Sequence, residues 1–167
     1  MVNVLGPQDS RLSAGARVVL PAVWLGLIIG ISLIEAPLKF QAPGITIPLG
    51  LGIGRLVFTA MNWVEIVIAA VLLWAILKDG VGTVFRAVTC TVIGVLIVKV
   101  AAIRPLLNER TDAVLAGVDD GGSGLHLAYI AADGLLIVGL IALVILAVRT
   151  SIRAPAEATA PSPSADR

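Results

Sequence analysis

The chain has 167 residues, of which 58% are hydrophobic and only 14% are charged, and its mean hydropathy is +1.02. Soluble domains contain about 25% charged residues, so this composition predicts an integral membrane protein and excludes a soluble enzyme. The formal net charge is +1 and no basic tract occurs, which excludes a nucleic-acid-binding surface. A single cysteine, Cys90, leaves no partner for a disulfide within the chain.

Four apolar runs are long enough to cross a bilayer as helices, because a hydrocarbon core of about 30 Å needs roughly 20 helical residues. The predicted spans are residues 18–34, 56–77, 87–103 and 127–148. The first run has no small-residue cleavage site at its end, so we interpret it as a retained anchor rather than a signal peptide. The sequence therefore predicts an all-α fold, in which residues 1–153 form one domain, a bundle of four transmembrane helices.

The Lys and Arg residues near the span ends predict that both termini are cytoplasmic. Six of these residues lie on the side of the termini and four on the other side. The first set is Arg11, Arg17, Lys78, Arg86, Arg149 and Arg153, and the second is Lys39, Arg55, Arg104 and Arg110. Residues 154–167 are rich in Ala, Pro and Ser and are predicted to form a disordered cytoplasmic tail. The composition favours a multi-pass protein of a plasma or inner membrane.

The two outer connections differ in character. Residues 35–55 are apolar but contain three prolines and four glycines, so we expect this segment to lie along the interface or against the helices rather than to be one helix. Residues 105–125 are polar and acidic, which predicts a flexible, solvated turn. The glycines at 50, 52 and 54 follow no strand, so we expect no nucleotide site. Gly26 and Gly30 form a GxxxG pattern that favours close helix packing within the bundle, with a dimer as the alternative.

Three ionisable residues fall inside the predicted spans, namely Glu65, Lys99 and Asp133. Each costs about 2.5 kcal/mol or more at the bilayer centre, so such residues usually face the interior of a bundle. Their positions place them at similar depth. We therefore predict that Glu65 and Lys99 form a buried ion pair, and that Asp133 either shares the ammonium or takes up a proton.

Other polar residues continue the same helix faces outward. Asn62 precedes Glu65 by three residues, and His126, Tyr129 and Asp133 are spaced at i, i+3 and i+7. Arg55 and Arg104 lie near the outer ends of their spans, and together these residues predict a polar vestibule closed below by apolar packing. Three interpretations stay open: the charges hold the helices in register, they form a pocket for a solute or protons, or the spans are assigned incorrectly and some of these residues lie at a membrane interface. Because His126 is the only histidine, we expect neither a metal nor a cofactor.

Three short motifs carry a resemblance to a known family. They are Pro37-Leu38-Lys39-Phe40 after the first span, Gly54 with Phe58 entering the second, and the spacing of His126, Tyr129 and Asp133 in the fourth. The chain resembles the small four-helix membrane proteins typified by transmembrane protein 205. It departs from them at Tyr129 and Asp133, where the family favours a small hydroxyl residue and an amide. The resemblance implies four helices and a part in handling small or toxic solutes, and it implies no catalytic residue.

The leading hypothesis is transport or binding of a small solute or ion. Glu65, Lys99 and Asp133 would form its titratable centre, and His126, Arg55 and Arg104 would line its outer entrance. Four helices are few for alternating access, so a homodimer is expected if the chain transports. The alternative is a non-transporting subunit or assembly factor that packs against another membrane protein. A membrane enzyme with His126 and Asp133 as acid and base ranks third, because no nucleophile or metal set accompanies them.

Overall fold

A computed structural model of the chain describes residues 7–78, 80–118 and 124–153, and it contains no β-strand within these ranges. The elements in chain order are α1 (Pro7–Ile28), a π-helical segment (Ile29–Glu35), α2 (Ala36–Leu38), a 3-10 turn (Lys39–Gln41), α3 (Ile47–Ile76), α4 (Thr83–Val98), a second π-helical segment (Lys99–Ile103), α5 (Arg104–Leu115) and α6 (Gly124–Arg153).

Four of the helical stretches are long and apolar enough to cross a membrane, which confirms the predicted fold class. They cover Arg11–Gln41, Ile47–Ile76, Thr83–Leu115 and Gly124–Thr150. The first and third spans include the two π-helical segments and the short helices that follow them. Every span is longer than its apolar run; the second one extends through the apolar residues 47–55, which were predicted to belong to the first outer connection.

The four spans form a ring in chain order. α1 contacts α3 and α6, and α4 contacts the same two helices. A buried apolar core fills the centre of the ring; its largest members include Ile28, Leu72, Leu136, Leu140 and Leu143. We call the end of the bundle that carries the α3–α4 turn the connection end, and the opposite end, which carries α5, the polar end.

The first outer connection is shorter and more helical than predicted. Helix α3 begins at Ile47, after a break at residues 42–46, and it contains three of the glycines that were expected to interrupt helical structure. Pro48 lies in the first turn of α3, where its missing N–H costs no hydrogen bond, and Thr46 caps that turn by accepting from the backbone N–H of Leu49. Gly54 instead provides room, since a Cβ there would lie 2.8 Å from Lys39 Nζ.

The second outer connection is also largely helical. Residues 105–115 belong to α5, which ends at Leu115 and is followed by Gly117 with a positive φ of 72° and by a hydrogen bond from the backbone N–H of Val118 to the Ala113 carbonyl. The expectation of a flexible turn over residues 105–125 is therefore wrong for this part, because the acidic residues there lie on an ordinary polar helix. Residues 119–123, the rest of the acidic turn, and the predicted tail at residues 154–167 lie outside the described residues.

The GxxxG pattern of the first span does not pack closely against another helix in the described part of the chain. A Cβ added at Gly26 or at Gly30 would meet no atom of a described residue within 4 Å, so the expected close packing inside the bundle is wrong at this position. The close approach occurs between α6 and α4 instead, where a Cβ at Gly139 would clash with the side chain of Val92. The sequence pattern selected the wrong pair of glycines because it carries no information on which helix face is turned inward.

The burial of the tryptophans tests this arrangement. Trp24 is fully buried whereas Trp63 is 66% exposed on the outside of the bundle. We expect vesicles with brominated acyl chains to quench the fluorescence of a chain that retains only Trp63 (Trp24→Phe, Trp74→Phe) and to quench a chain that retains only Trp24 (Trp63→Phe, Trp74→Phe) much less. Vesicles of the same unbrominated lipid serve as the control, and equal quenching of the two chains would contradict the arrangement.

Candidate functional site

Three charged side chains interrupt the apolar core, and we call them the charge cluster: Glu65 of α3, Lys99 at the start of the second π-helical segment, and Asp133 of α6. Their exposed fractions are 0%, 0% and 3%. Each comes from a different span, so the structure brings together the three ionisable residues that the sequence places inside the hydrocarbon.

The ammonium of Lys99 lies between the two carboxylates. Lys99 Nζ donates to Glu65 Oε1 at 2.9 Å and to Asp133 Oδ1 at 2.7 Å, and it lies 2.8 Å from Glu65 Oε2. The predicted contact between Glu65 and Lys99 is thus present, and Asp133 shares the same ammonium. Hydrogen bonds to charged groups are the strong ones, and here they link three spans through one nitrogen.

The first span completes the hydrogen bonding of both carboxylates. Trp24 Nε1 donates to Glu65 Oε1 at 3.0 Å, and the hydroxyl of Ser32 donates to Asp133 Oδ2 at 2.6 Å. Glu65 Oε2 is buried and accepts no hydrogen bond from the described residues, although it lies next to the ammonium. All four spans therefore contribute a polar group to one buried network.

Both π-helical segments adjoin this network. The backbone N–H of Arg104 bonds to the carbonyl of Lys99, and that of Ala36 bonds to the carbonyl of Ile31, five residues back in each case. Ser32 lies within the first segment and Lys99 begins the second. Short π-helical turns in otherwise α-helical stretches occur frequently at functional sites, so their position next to this network favours it as the candidate site.

Two aromatic rings lie against the cluster. The Tyr129 ring centroid is 5.0 Å from Lys99 Nζ, and its hydroxyl donates to Asn62 Oδ1 at 3.1 Å. Phe58 meets Tyr129 edge to face, with ring centroids 5.5 Å apart. Such contacts favour a cation above the ring face and hold the rings in place.

The three residues predicted to line the outer entrance take different positions. Arg104 is 8% exposed and donates to the Arg55 carbonyl at 2.8 Å and to the Thr59 hydroxyl at 3.2 Å, with its guanidinium over the Phe58 ring. The side chain of Arg55 turns to Asp112 of α5, with which it forms an exposed ion pair. His126 is exposed, so it lies outside the buried network. Of these three residues, Arg104 is the one whose side chain lies against the aromatic pair.

The cluster has one more acidic group than basic groups. With both carboxylates ionised it carries one excess negative charge, which is costly in a low-dielectric interior. One proton on either carboxylate would make the cluster neutral. The two carboxylates are therefore the groups of the cluster that can carry such a proton.

Within the described part of the chain, no group of three or more His, Cys, Asp or Glu residues could hold a metal ion. Comparisons with known protein families, with curated proteins and with solved structures find no match for this chain. The resemblance to the family typified by transmembrane protein 205 accordingly stays a prediction.

Sequence reasoning missed Trp24, Ser32 and Phe58 as parts of this network. Trp24 and Ser32 are the polar-atom-bearing residues of the first apolar run, and their spacing of eight places them near one helix face. That signal was available but weak, because a neutral indole or hydroxyl crosses hydrocarbon at modest cost and does not demand a partner as a charge does.

Removing the ammonium alone should destabilise the protein more than removing both members of the ion pair. We expect Lys99→Met to lower the free energy of unfolding by about 3–5 kcal/mol, because it leaves two buried carboxylates without a cation. Glu65→Gln combined with Lys99→Met should recover part of this loss. Equilibrium unfolding in mixed detergent micelles, analysed as a double-mutant cycle, should give a coupling energy of about 1 kcal/mol or more.

The matched control is Lys78→Met, which removes a lysine at the connection end that contacts the Trp74 ring. Its effect should be within about 1 kcal/mol, since a partly exposed cation over an aromatic ring contributes little. Strictly additive effects of Glu65→Gln and Lys99→Met would contradict the ion pair.

Proposed function

We propose that this integral membrane protein is a proton-coupled transporter of a small solute, in which the charge cluster binds and releases the coupling proton. The observation that supports the proposal is the position of Lys99 Nζ between carboxylates of two other spans, at 2.7 and 2.8 Å. When one carboxylate accepts a proton, the ammonium balances the charge of the other carboxylate. When the proton departs, the ammonium again faces two anions and partly compensates both.

Burial favours a proton over a larger ion at the cluster itself. The side chains of Glu65, Lys99 and Tyr129 are 0–3% exposed and contact one another directly. A proton needs no cavity, whereas a solute of any size would have to displace these groups. In the proposed mechanism the solute therefore binds elsewhere along the polar residues, and Arg104 beside the aromatic pair is a candidate to attract an anionic one.

The same contacts support transport over the alternative of an assembly subunit. A subunit that used its intramembrane charges to recruit a partner would leave them exposed on a lipid-facing surface. Here the cluster residues pair with one another inside one chain. A role in assembly would have to depend on the apolar outer faces instead.

Proton binding can be measured without knowing the solute. For vesicles containing the purified protein on a solid-supported membrane, we expect a rapid pH jump to give a transient current as protons enter the cluster. Glu65→Gln and Asp133→Asn should each reduce the displaced charge at least about fivefold, because Lys99 then balances the one carboxylate that stays and the cluster has no excess charge for a proton to neutralise.

The control variant is Glu109→Gln, which removes an exposed carboxylate of α5 and should leave the transient current unchanged. Each variant is first compared with the wild type in thermal midpoint, so that a loss of current is assigned only to folded protein. A wild-type protein without a transient current, or equal currents in the wild type and both cluster variants, would refute the proposal.

A further inference from the structure

A half-open groove lies at the connection end of the bundle. In α4 and α6, the residues that form the groove are far along the chain from the residues of the charge cluster. Its volume is about 770 Å³. Its walls come from the early part of α1, the α3–α4 connection, the first turn of α4 and the end of α6; they include Ala14, Val18, Val81, Phe85 and Leu146. Pockets that hold small organic ligands have volumes of about 300–1,000 Å³, so the groove is large enough for one.

Among the described residues that line this largely apolar groove, Arg17 is the one with a charged side chain. Its Nη1 is buried and donates no hydrogen bond to a described residue. A buried donor without an acceptor costs free energy, and this donor belongs to a permanent cation. The buried guanidinium nitrogen therefore favours an anionic acceptor, and the wall beside it is apolar.

The backbone adds positive potential at the same place. Helix α4 begins at Thr83, which lines the groove, and its N-cap residue Gly82 offers no side chain to accept from the first N–H groups. The amino end of a helix carries a partial positive charge that favours anions. Just outside, Arg86 donates to the Lys78 carbonyl at 3.0 Å, so two further cations belong to this end of the bundle.

We propose that this groove binds one anionic phospholipid, with the phosphate beside Arg17 and the first turn of α4 and with an acyl chain along Val18, Phe85 and Leu146. The apolar wall distinguishes a lipid from a free anion, because a small hydrophilic phosphate gains nothing from it. Basic pockets between transmembrane helices are a recurrent form of anionic headgroup site. The inference stands on the groove alone and is independent of the proposed proton coupling.

Native mass spectrometry of the full chain in detergent tests the site, with dioleoylphosphatidylglycerol as the anionic probe and dioleoylphosphatidylcholine as its zwitterionic counterpart. The wild type should bind the anionic lipid about tenfold more tightly, as expected for a charge-assisted contact. Arg17→Gln should abolish this preference, whereas Arg11→Gln, at an exposed arginine outside the groove, should retain it.

A second variant tests the apolar wall separately. Ala14→Leu extends a side chain into the groove and should weaken the binding of both lipids while the arginine stays in place. The proposal is overturned if the wild type binds the two lipids equally, if Arg11→Gln and Arg17→Gln act alike, or if glycerol 1-phosphate competes as well as the intact lipid. It is also overturned if light scattering shows a dimer that Ala14→Leu dissociates, because the groove would then be covered by a second copy of the chain.

Discussion

The arrangement of the four spans depends on the burial of one ammonium group. An unpaired lysine in a low-dielectric interior is prohibitively costly, so Lys99 must find anions at its own depth. Glu65 and Asp133 supply them from the second and fourth spans. Because apolar side chains pack almost as well against lipid as against one another, hydrophobicity alone does not determine how membrane helices are rotated. The ion pairs provide the rotational constraint that apolar packing lacks.

The first span is bound to this arrangement by neutral groups. Trp24 and Ser32 each donate to one carboxylate, so hydrogen bonds from neutral groups, rather than ion pairs, link the first span to the charge cluster. Both donors bond to carboxylates that already face the ammonium. The neutral hydrogen bonds therefore join the first span to the same two groups that the ion pairs hold in place.

Hydropathy was sufficient to predict the number of spans, and the cost of buried charge was sufficient to predict that Glu65, Lys99 and Asp133 meet. The shape of the connections was not predictable from the same arguments, because proline and glycine have more than one role. Residues 35–55 were not expected to form one helix, yet Pro48 lies in the first turn of α3 and Gly54 lies within α3, where it makes room for Lys39. The residue type limits which roles a proline or glycine can take, and the neighbouring residues in the folded structure determine which role it has. The outward turn of Arg55 toward Asp112 has the same origin, since α5 was not expected to be a helix.

The second π-helical segment gives the third span a property that an unbroken α-helix would lack. In an α-helix each residue rotates the chain by about 100°, so side chains five positions apart point to clearly different directions. The wider turn over Lys99–Ile103 brings Lys99 and Arg104 back toward one face, and both are buried in the bundle. A π-helical turn is equivalent to an α-helix with one added residue. The burial of both cations of this span therefore depends on that one added residue. Deleting a residue from the segment would turn Lys99 or Arg104 toward the lipid, although both side chains would still be present.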